Sequence, residues 1–367
     1  MLLPLIFNHE DKMKQRFDSL DGIRGILAIT VMMSHVIGSY TGWGDIRPFV
    51  GAHLSVFYFF MMSGFVLSYA NTRYTFKTHC MLRAARLWPL MVVSSIGMLL
   101  IYYINSQNGG YVSSPDVFSP RVIAKNILLM HGVLPNDFIL LNEPSWSISL
   151  EFWVSLLIPF FFSKIKYNWK IIIILGLTFL SIHRSGMHLP ANFLTATICM
   201  LIGSLCYEVY KRLGFLGKSF TIYSTTCLIT CLISIYFIGS GSADFLLIGI
   251  FIPCLFIDKI EGDSFLKKTL SSDFLIFLGR ISFPLYLLHE LVIVSGITPE
   301  TGDIYSKVFL CALFSICIAY AYAVCVDEPI YKKLKTKIIN IEKNIFNIII
   351  SFPHRLRPYI AFQATVT

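Results

Sequence analysis

Apolar stretches long enough to cross a bilayer recur from one end of this chain to the other, and that recurrence leaves few folds open. A hydrocarbon core about 30 Å thick needs about 20 residues of helix. Backbone groups inside it must pair within their own segment or in a closed barrel. These runs are continuously apolar, without a strand's alternation, so they are helices. Ten are expected, near residues 23–40, 51–70, 87–104, 146–162, 169–183, 192–210, 220–238, 243–257, 274–297 and 305–326. Charged residues make up 14% of the chain and hydrophobic ones 55%, where a soluble domain carries roughly a quarter charged. The expected fold class is an all-α integral membrane protein of about ten transmembrane helices.

Lysine and arginine orient such a chain, because cytoplasmic loops collect them. Of the 30 present, only Arg47, Arg121, Lys125, Arg184 and Lys307 fall in connections on one side, and Arg280 lies inside a span. The rest share the other side with both chain ends, so both termini are expected in the cytoplasm. The net charge of +9 reflects this orientation, and no nucleic-acid partner is needed to explain it. There is no internal repeat and no Gly/Ser linker. The chain therefore divides into a cytoplasmic segment 1–22, a membrane domain 23–327 and a partly amphipathic cytoplasmic tail 328–367. Residues 338–352 in that tail suit a helix lying on the inner surface. Met13, followed by Lys14, Gln15 and Arg16, would make an ordinary start, so Met1 and Met13 are both open as the start of translation. The longest outer connection, 105–145, contains an apolar piece at 122–131 that reads as a re-entrant or interfacial helix. Nine cysteines lie mostly in apolar runs without CxxC spacing, among them Cys199, Cys206, Cys227, Cys231 and Cys311. They read as small buried apolar residues.

Several polar residues interrupt the apolar runs, and each costs free energy there. Asp21-Gly22-Ile23-Arg24-Gly25 opens the first span, and His35 lies eleven residues beyond Arg24. At about 100° per residue that is three turns and roughly 20°, with a rise of about 16 Å, so both side chains share a face. Arg83 and Arg86 begin the third span at a spacing that makes them neighbours on a helix. Together they form a guanidinium fork suited to phosphate, although anchoring at the cytoplasmic surface alone explains such residues. Trp146, Ser147 and Glu151 open the fourth span, Ser147 one turn from Glu151. Ser282, Tyr286 and His289 form a polar stripe in the ninth, around Pro284. Ser63-Gly64 in the second reads first as a site of close helix approach. The histidines His35, His131, His183 and His289 lack ligand spacing such as HExxH, and no metal is expected.

Assembled in this order, the motifs resemble the acyltransferase-3 family, integral membrane proteins that acylate hydroxyls of bacterial surface and exported glycans. The resemblance runs from Leu20 to about Lys333. It rests on Arg24 and His35, the paired Arg83 and Arg86, Ser63-Gly64-Phe65, Trp146-Ser147 with Glu151, Ser282 through Tyr286 to His289, and Glu328-Pro329. It implies about ten helices in the bacterial inner membrane and an acyl group, usually acetyl, taken from cytoplasmic acetyl-CoA. The acceptor is then a glycan or lipid-linked saccharide, such as an exopolysaccharide or lipopolysaccharide. Many relatives carry an esterase-like domain after the last helix, so this chain resembles the stand-alone subtype, with any separate partner protein unknown. On this reading Arg24, Arg83 and Arg86 hold coenzyme A, His35 is the base, and Glu151 orients His35. Asp21, Ser63, Trp146, Ser147, Ser282, Tyr286 and His289 line the site. Direct transfer and a relay through acylated His35, Ser147 or Ser282 are both open. The competing class is a glycan or lipid transporter using intramembrane His and Glu for proton coupling.

Overall fold

The computed structural model describes residues 17–44, 48–71, 74–134, 139–159, 165–182, 191–241, 243–297 and 302–351. Met13 and residues 352–367 of the tail lie outside them. Thirteen α-helices follow one another: α1 (Asp18–Thr41), α2 (Ala52–Asn71), α3 (Phe76–Asn108), α4 (Pro120–Ile127), α5 (Ser145–Leu157), α6 (Tyr167–Ile182), α7 (Ala191–Arg212), α8 (Lys218–Phe237), α9 (Asp244–Phe251), α10 (Phe265–Leu270), α11 (Asp273–Ser295), α12 (Ile304–Tyr322) and α13 (Glu328–Ser351). Among the described residues the extended backbone amounts to one isolated bridge, Leu216 to Ile260.

Among the described residues, seven helical stretches are long and apolar enough to cross a membrane: α1, α2, α3, α7, α8, α11 and the run from α12 into α13. Within the expected spans at 146–162, 169–183 and 243–257 the described residues hold three further helices, residues 160–162 and 183 lying outside them. The first is the 13-residue α5, the second the 16-residue α6, and the third α9 continued by a 3₁₀ turn at Ile252–Lys259. Conversely, α3 is longer than its apolar core. Thr75 caps it, accepting from the Thr78 amide at 3.3 Å, and the first turns carry the arginines before the apolar run begins. Gly109 ends it in the left-handed conformation at φ 72°, where a side chain would be strained. A five-residue π turn, Ala323–Asp327, joins α12 to α13.

Two glycine crossings set the frame. A Cβ on Gly279 would lie 2.2 Å from the Asp21 carbonyl, and one on Gly25 would lie 2.6 Å from Leu278 Cβ. Only glycine lets α1 and α11 approach this closely. Likewise a Cβ on Gly64 would meet the Met200 carbonyl at 2.2 Å and one on Gly203 the Met61 carbonyl at 2.0 Å. The close approach read from Ser63-Gly64 is thus a crossing of α2 and α7.

Helix directions agree with alternation along the chain. At one end Phe17, at the start of α1, packs edge-on against Tyr69 at the end of α2 and Tyr210 near the end of α7. At the other, His53 near the start of α2 meets Asp244 at the start of α9 at 3.1 Å. First and ninth expected spans (α1, α11) therefore run parallel, as do the second, sixth and eighth (α2, α7, α9). Lys170 of α6, fully buried, is paired with Glu208 of α7 and bonded to Ser204 at 3.3 Å.

The piece at 122–131, read as a re-entrant or interfacial helix, holds the end of α4 and the turn after it. After a 3₁₀ turn at Pro115–Phe118, α4 descends between helices: Trp88 Nε1 of α3 donates to the Ile127 carbonyl at 2.7 Å, and Trp153 Nε1 of α5 to the Leu129 carbonyl at 2.8 Å. All nine cysteines are free, and the five singled out in the sequence are buried.

Candidate active site

A cavity of about 180 Å³ opens among α1, α2, α3, α5 and α11. It is lined by Arg24, Ser63, Arg83, Arg86, Ser147, Glu151, Ser282 and Tyr286, with Val56, Phe59, Phe60 and Phe283 among the apolar walls. Eight of the twelve residues expected from sequence thus meet around one space. Asp21 stands beside it, accepting from Arg24 Nη1 at 3.1 Å. Trp146 packs behind the wall against Phe60, ring centroids 6.5 Å apart. His35 and His289 lie beyond the cavity, toward the far ends of α1 and α11.

The two arginines of α3 do not form the expected fork. Although three residues apart, they are drawn to different helices. Arg83 Nη2 donates to Glu151 Oε1 at 2.7 Å and its Nε to Ser155 Oγ at 3.1 Å, both on α5. Arg86 Nη1 donates to Asp327 in the π turn at 2.5 Å, with its guanidinium over the rings of Phe283 and Tyr331 at 5.2 and 5.3 Å. A guanidinium in an apolar bundle needs a carboxylate, and these two lie on different elements, α5 and the π turn. Both side chains still line the cavity. A guanidinium has five N–H donors, and these bonds use two of Arg83 and one of Arg86, so donors remain for a phosphate.

Glu151 does not orient His35. Its Oε1 accepts from Arg83 and from Ser63 Oγ, the latter at 2.6 Å. The carboxylate that meets His35 is Glu290, whose Oε2 lies 3.3 Å from His35 Nδ1. The His289 ring stands 5.0 Å from that of His35. Its Nδ1 hydrogen-bonds to the Leu285 carbonyl at 2.9 Å, the bond i to i−4 that fixes its tautomer. Its Nε2 is buried without a hydrogen-bond partner. Glu290 is missing from the sequence stripe because it sits about 100° round the helix from His289. The polar run His289-Glu290 in an apolar span was the available signal. The ligand atoms of His35, His289 and Glu290 lie within 4.8 Å of one another, close enough for one ion to bridge, although the hydrogen bond already engages two of the three.

A hydroxyl pair joins the two levels. Ser147 Oγ and Tyr286 OH are 2.7 Å apart, and Ser147 Oγ also donates to the Pro144 carbonyl at 3.0 Å. Tyr286 therefore directs its proton at Ser147. It stands one turn of α11, about 6 Å, before Glu290.

These features define an integral, multi-pass membrane protein with a polar site sunk among its helices. The acyltransferase-3 profile, described as an acyltransferase domain, matches residues 17–325, and the chain belongs to that family. It is also 27% identical over 161 residues to acyltransferase MdmB of Streptomyces mycarofaciens, a match covering 41% of this chain and 40% of the relative's length. The chain thus matches well under two thirds of that relative. No solved structure matches it.

Proposed function

We propose that this protein transfers an acyl group, acetyl in the first instance, from cytoplasmic acyl-CoA to a hydroxyl of a surface or exported glycan or lipid-linked saccharide in the bacterial inner membrane. The observation that carries the reading is the His35–Glu290 pair, one turn of α11 beyond a cavity lined by Arg24, Arg83 and Arg86. The basic end of the bundle faces the cytoplasm, as the lysine and arginine distribution requires.

Donor phosphates are held by the unused guanidinium N–H groups, in charge-assisted hydrogen bonds. The pantetheine arm lies along the apolar wall, which brings the thioester toward Tyr286. Glu290 accepts from His35 Nδ1–H, so Nε2 carries the lone pair. That nitrogen removes the proton from the acceptor hydroxyl as its oxygen attacks the thioester carbonyl. The tetrahedral adduct collapses with cleavage of the C–S bond. The imidazolium returns its proton to the departing thiolate, leaving an ester and free coenzyme A. Glu290 stabilises the imidazolium between the two steps, as the carboxylate does in a Ser-His-Asp triad. Glu151 acts at a distance from the chemistry, holding Arg83 in the cavity wall.

The test is incorporation of label from acetyl-CoA into lipid and glycan fractions of membranes holding the wild type or His35→Ala, inserted to the same level. Alkali-labile label that needs His35 supports the reading. Equal label with both removes His35 as the base. A proton-coupled carrier would instead retain transport after Arg83→Ala with Arg86→Ala and fail on Glu151→Gln.

A further inference from the structure

Three loops converge over the end of α1 and α11 that lies away from the arginines. After α1, Trp43 folds back until its ring stands edge-on to His35, centroids 5.6 Å apart. Gly38 makes the room, since a Cβ there would sit 3.0 Å from the indole. After α3, the chain at Tyr111 is tethered by Asn105. The Asn105 Nδ2 donates to the Tyr111 carbonyl at 3.0 Å and to the Val294 carbonyl of α11 at 3.2 Å, one turn beyond Glu290. Before α5, Asn142 Nδ2 donates to the Leu287 carbonyl at 2.8 Å, which hangs the next residue, Glu143, over the same stretch of α11.

Packing does not account for this arrangement. Trp43 is 56% exposed and Tyr111 64%, and Glu143, exposed as a residue but with a partly buried carboxyl, is a charged neighbour of Tyr111, Glu290 and His35. Burial of its carboxyl and the charge of Glu290 push its pKa up, and the opposing charge is that of His35. Beneath them, Asn142 Oδ1 and His289 Nε2 are buried without hydrogen-bond partners, the latter 3.9 Å from Glu290 Oε2. With Nδ1–H of His289 given to a backbone carbonyl, both atoms are acceptors. Aromatic faces suit the C–H faces of a sugar ring. A second carboxylate beside Glu290 repels a ligand that carries its own anion.

We infer that Trp43, Tyr111 and Glu143 form the acceptor's docking site, and that Glu143 sets its charge specificity: neutral or amino-bearing saccharides enter, and those with a carboxylate, phosphate or sulfate beside the reacting hydroxyl are turned away. This rests on the acyltransferase reading and adds to it the class of acceptor. Like-charge juxtaposition acts on partner choice more than on raw affinity, so Glu143 is a specificity residue and not a catalytic one.

The experiment uses the full chain in neutral-lipid nanodiscs, fluorescently labelled, on an array of neutral, amino-bearing and acidic glycans, with acetyl-CoA binding measured on the same samples. The wild type should retain neutral or amino-bearing glycans over acidic ones by about tenfold or more, the equivalent of about 1.4 kcal/mol. Glu143→Gln should shrink that ratio and Glu143→Lys reverse it. Wild-type retention of acidic glycans, an unchanged ratio in both variants, or no glycan retained by a sample that still binds acetyl-CoA would each overturn the inference. A wild type that binds no acetyl-CoA would instead overturn the reading of the cavity beneath.

Discussion

His35 and Glu290 stand 255 positions apart in the chain and 3.3 Å apart in space. What joins them is the close parallel passage of α1 and α11, where Gly25 and Gly279 leave no room for a side chain. The same passage puts Arg24 and Ser282 into the cavity below. One helix pair therefore supports both the donor site and the base.

If Glu290 sets the tautomer of His35 and steadies its charged form, Glu290→Gln keeps the shape and loses the charge. A general base positioned this way is worth typically 10²–10⁴-fold, and a loss of about that size in kcat is expected, with little change in KM for acyl-CoA. Initial rates of acetyl transfer at saturating donor test this. A rise in KM alone would place Glu290 in donor binding.

Arg83 and Glu151 are a different kind of pair. Both are largely buried, with side-chain exposures of 11% and 20%, and removing one leaves the other uncompensated. That costs about 3–5 kcal/mol in a protein interior. Glu151→Ala should therefore lower the thermal midpoint in nanodiscs substantially, and Arg83→Met added to it should recover part of the loss. Additive losses in the double variant would show that the two side chains act separately.

Arg86 is the more available of the two arginines, 30% exposed and bonded to Asp327. A hydrogen bond to a charged group contributes about 1.5–3 kcal/mol, so Arg86→Ala should weaken acetyl-CoA binding by roughly ten- to over a hundredfold. Asp327→Asn should weaken it less, since the guanidinium stays. Isothermal titration with acetyl-CoA distinguishes the two, and equal losses would mean that Arg86 binds the donor only when Asp327 holds it in place.

Gly279→Ala tests the frame itself. The added methyl would sit 2.2 Å from the Asp21 carbonyl, and overpacking of this kind costs typically about 1–3 kcal/mol. Transfer activity should fall together with the thermal midpoint, because Arg24 and His35 both ride on α1. A variant with full activity and an unchanged midpoint would show that the helices separate without consequence.

How far these relationships were legible in the sequence depended on their range. The shared face of Arg24 and His35 followed from helical spacing alone, and the crossing at Gly64 from the residue type. The partners of Arg83, Arg86 and His35 did not. They come from helices 68, 241 and 255 positions away in the chain, and local periodicity carries no information about which helices become neighbours. Arg83 and Arg86 each bond a carboxylate on a different element, which their spacing does not foretell, while both still line the cavity. The first turns of α3 escaped because they are amphipathic, and hydropathy registers a span only where the polar residues stop.

The pH dependence of stability isolates Glu143. Its carboxyl is held above the ordinary 4.5 by burial and by the charge of Glu290, so the folded state disfavours its ionised form. Below the unfolded value both states are protonated and the residue costs nothing. As the pH rises from 4.5 through the higher folded value, the unfolded chain ionises first and stability is lost, fully so above that value. Glu143→Gln, neutral throughout, should therefore be more stable than the wild type at pH 7.5, and the gap should narrow as the pH is lowered toward about 4.5. Thermal midpoints of the two proteins in neutral-lipid nanodiscs across that range measure the gap directly. A gap that widens on acidification would mean that the Glu143 carboxylate is stabilised in the folded protein, with a cation in place of Glu290 as its dominant neighbour.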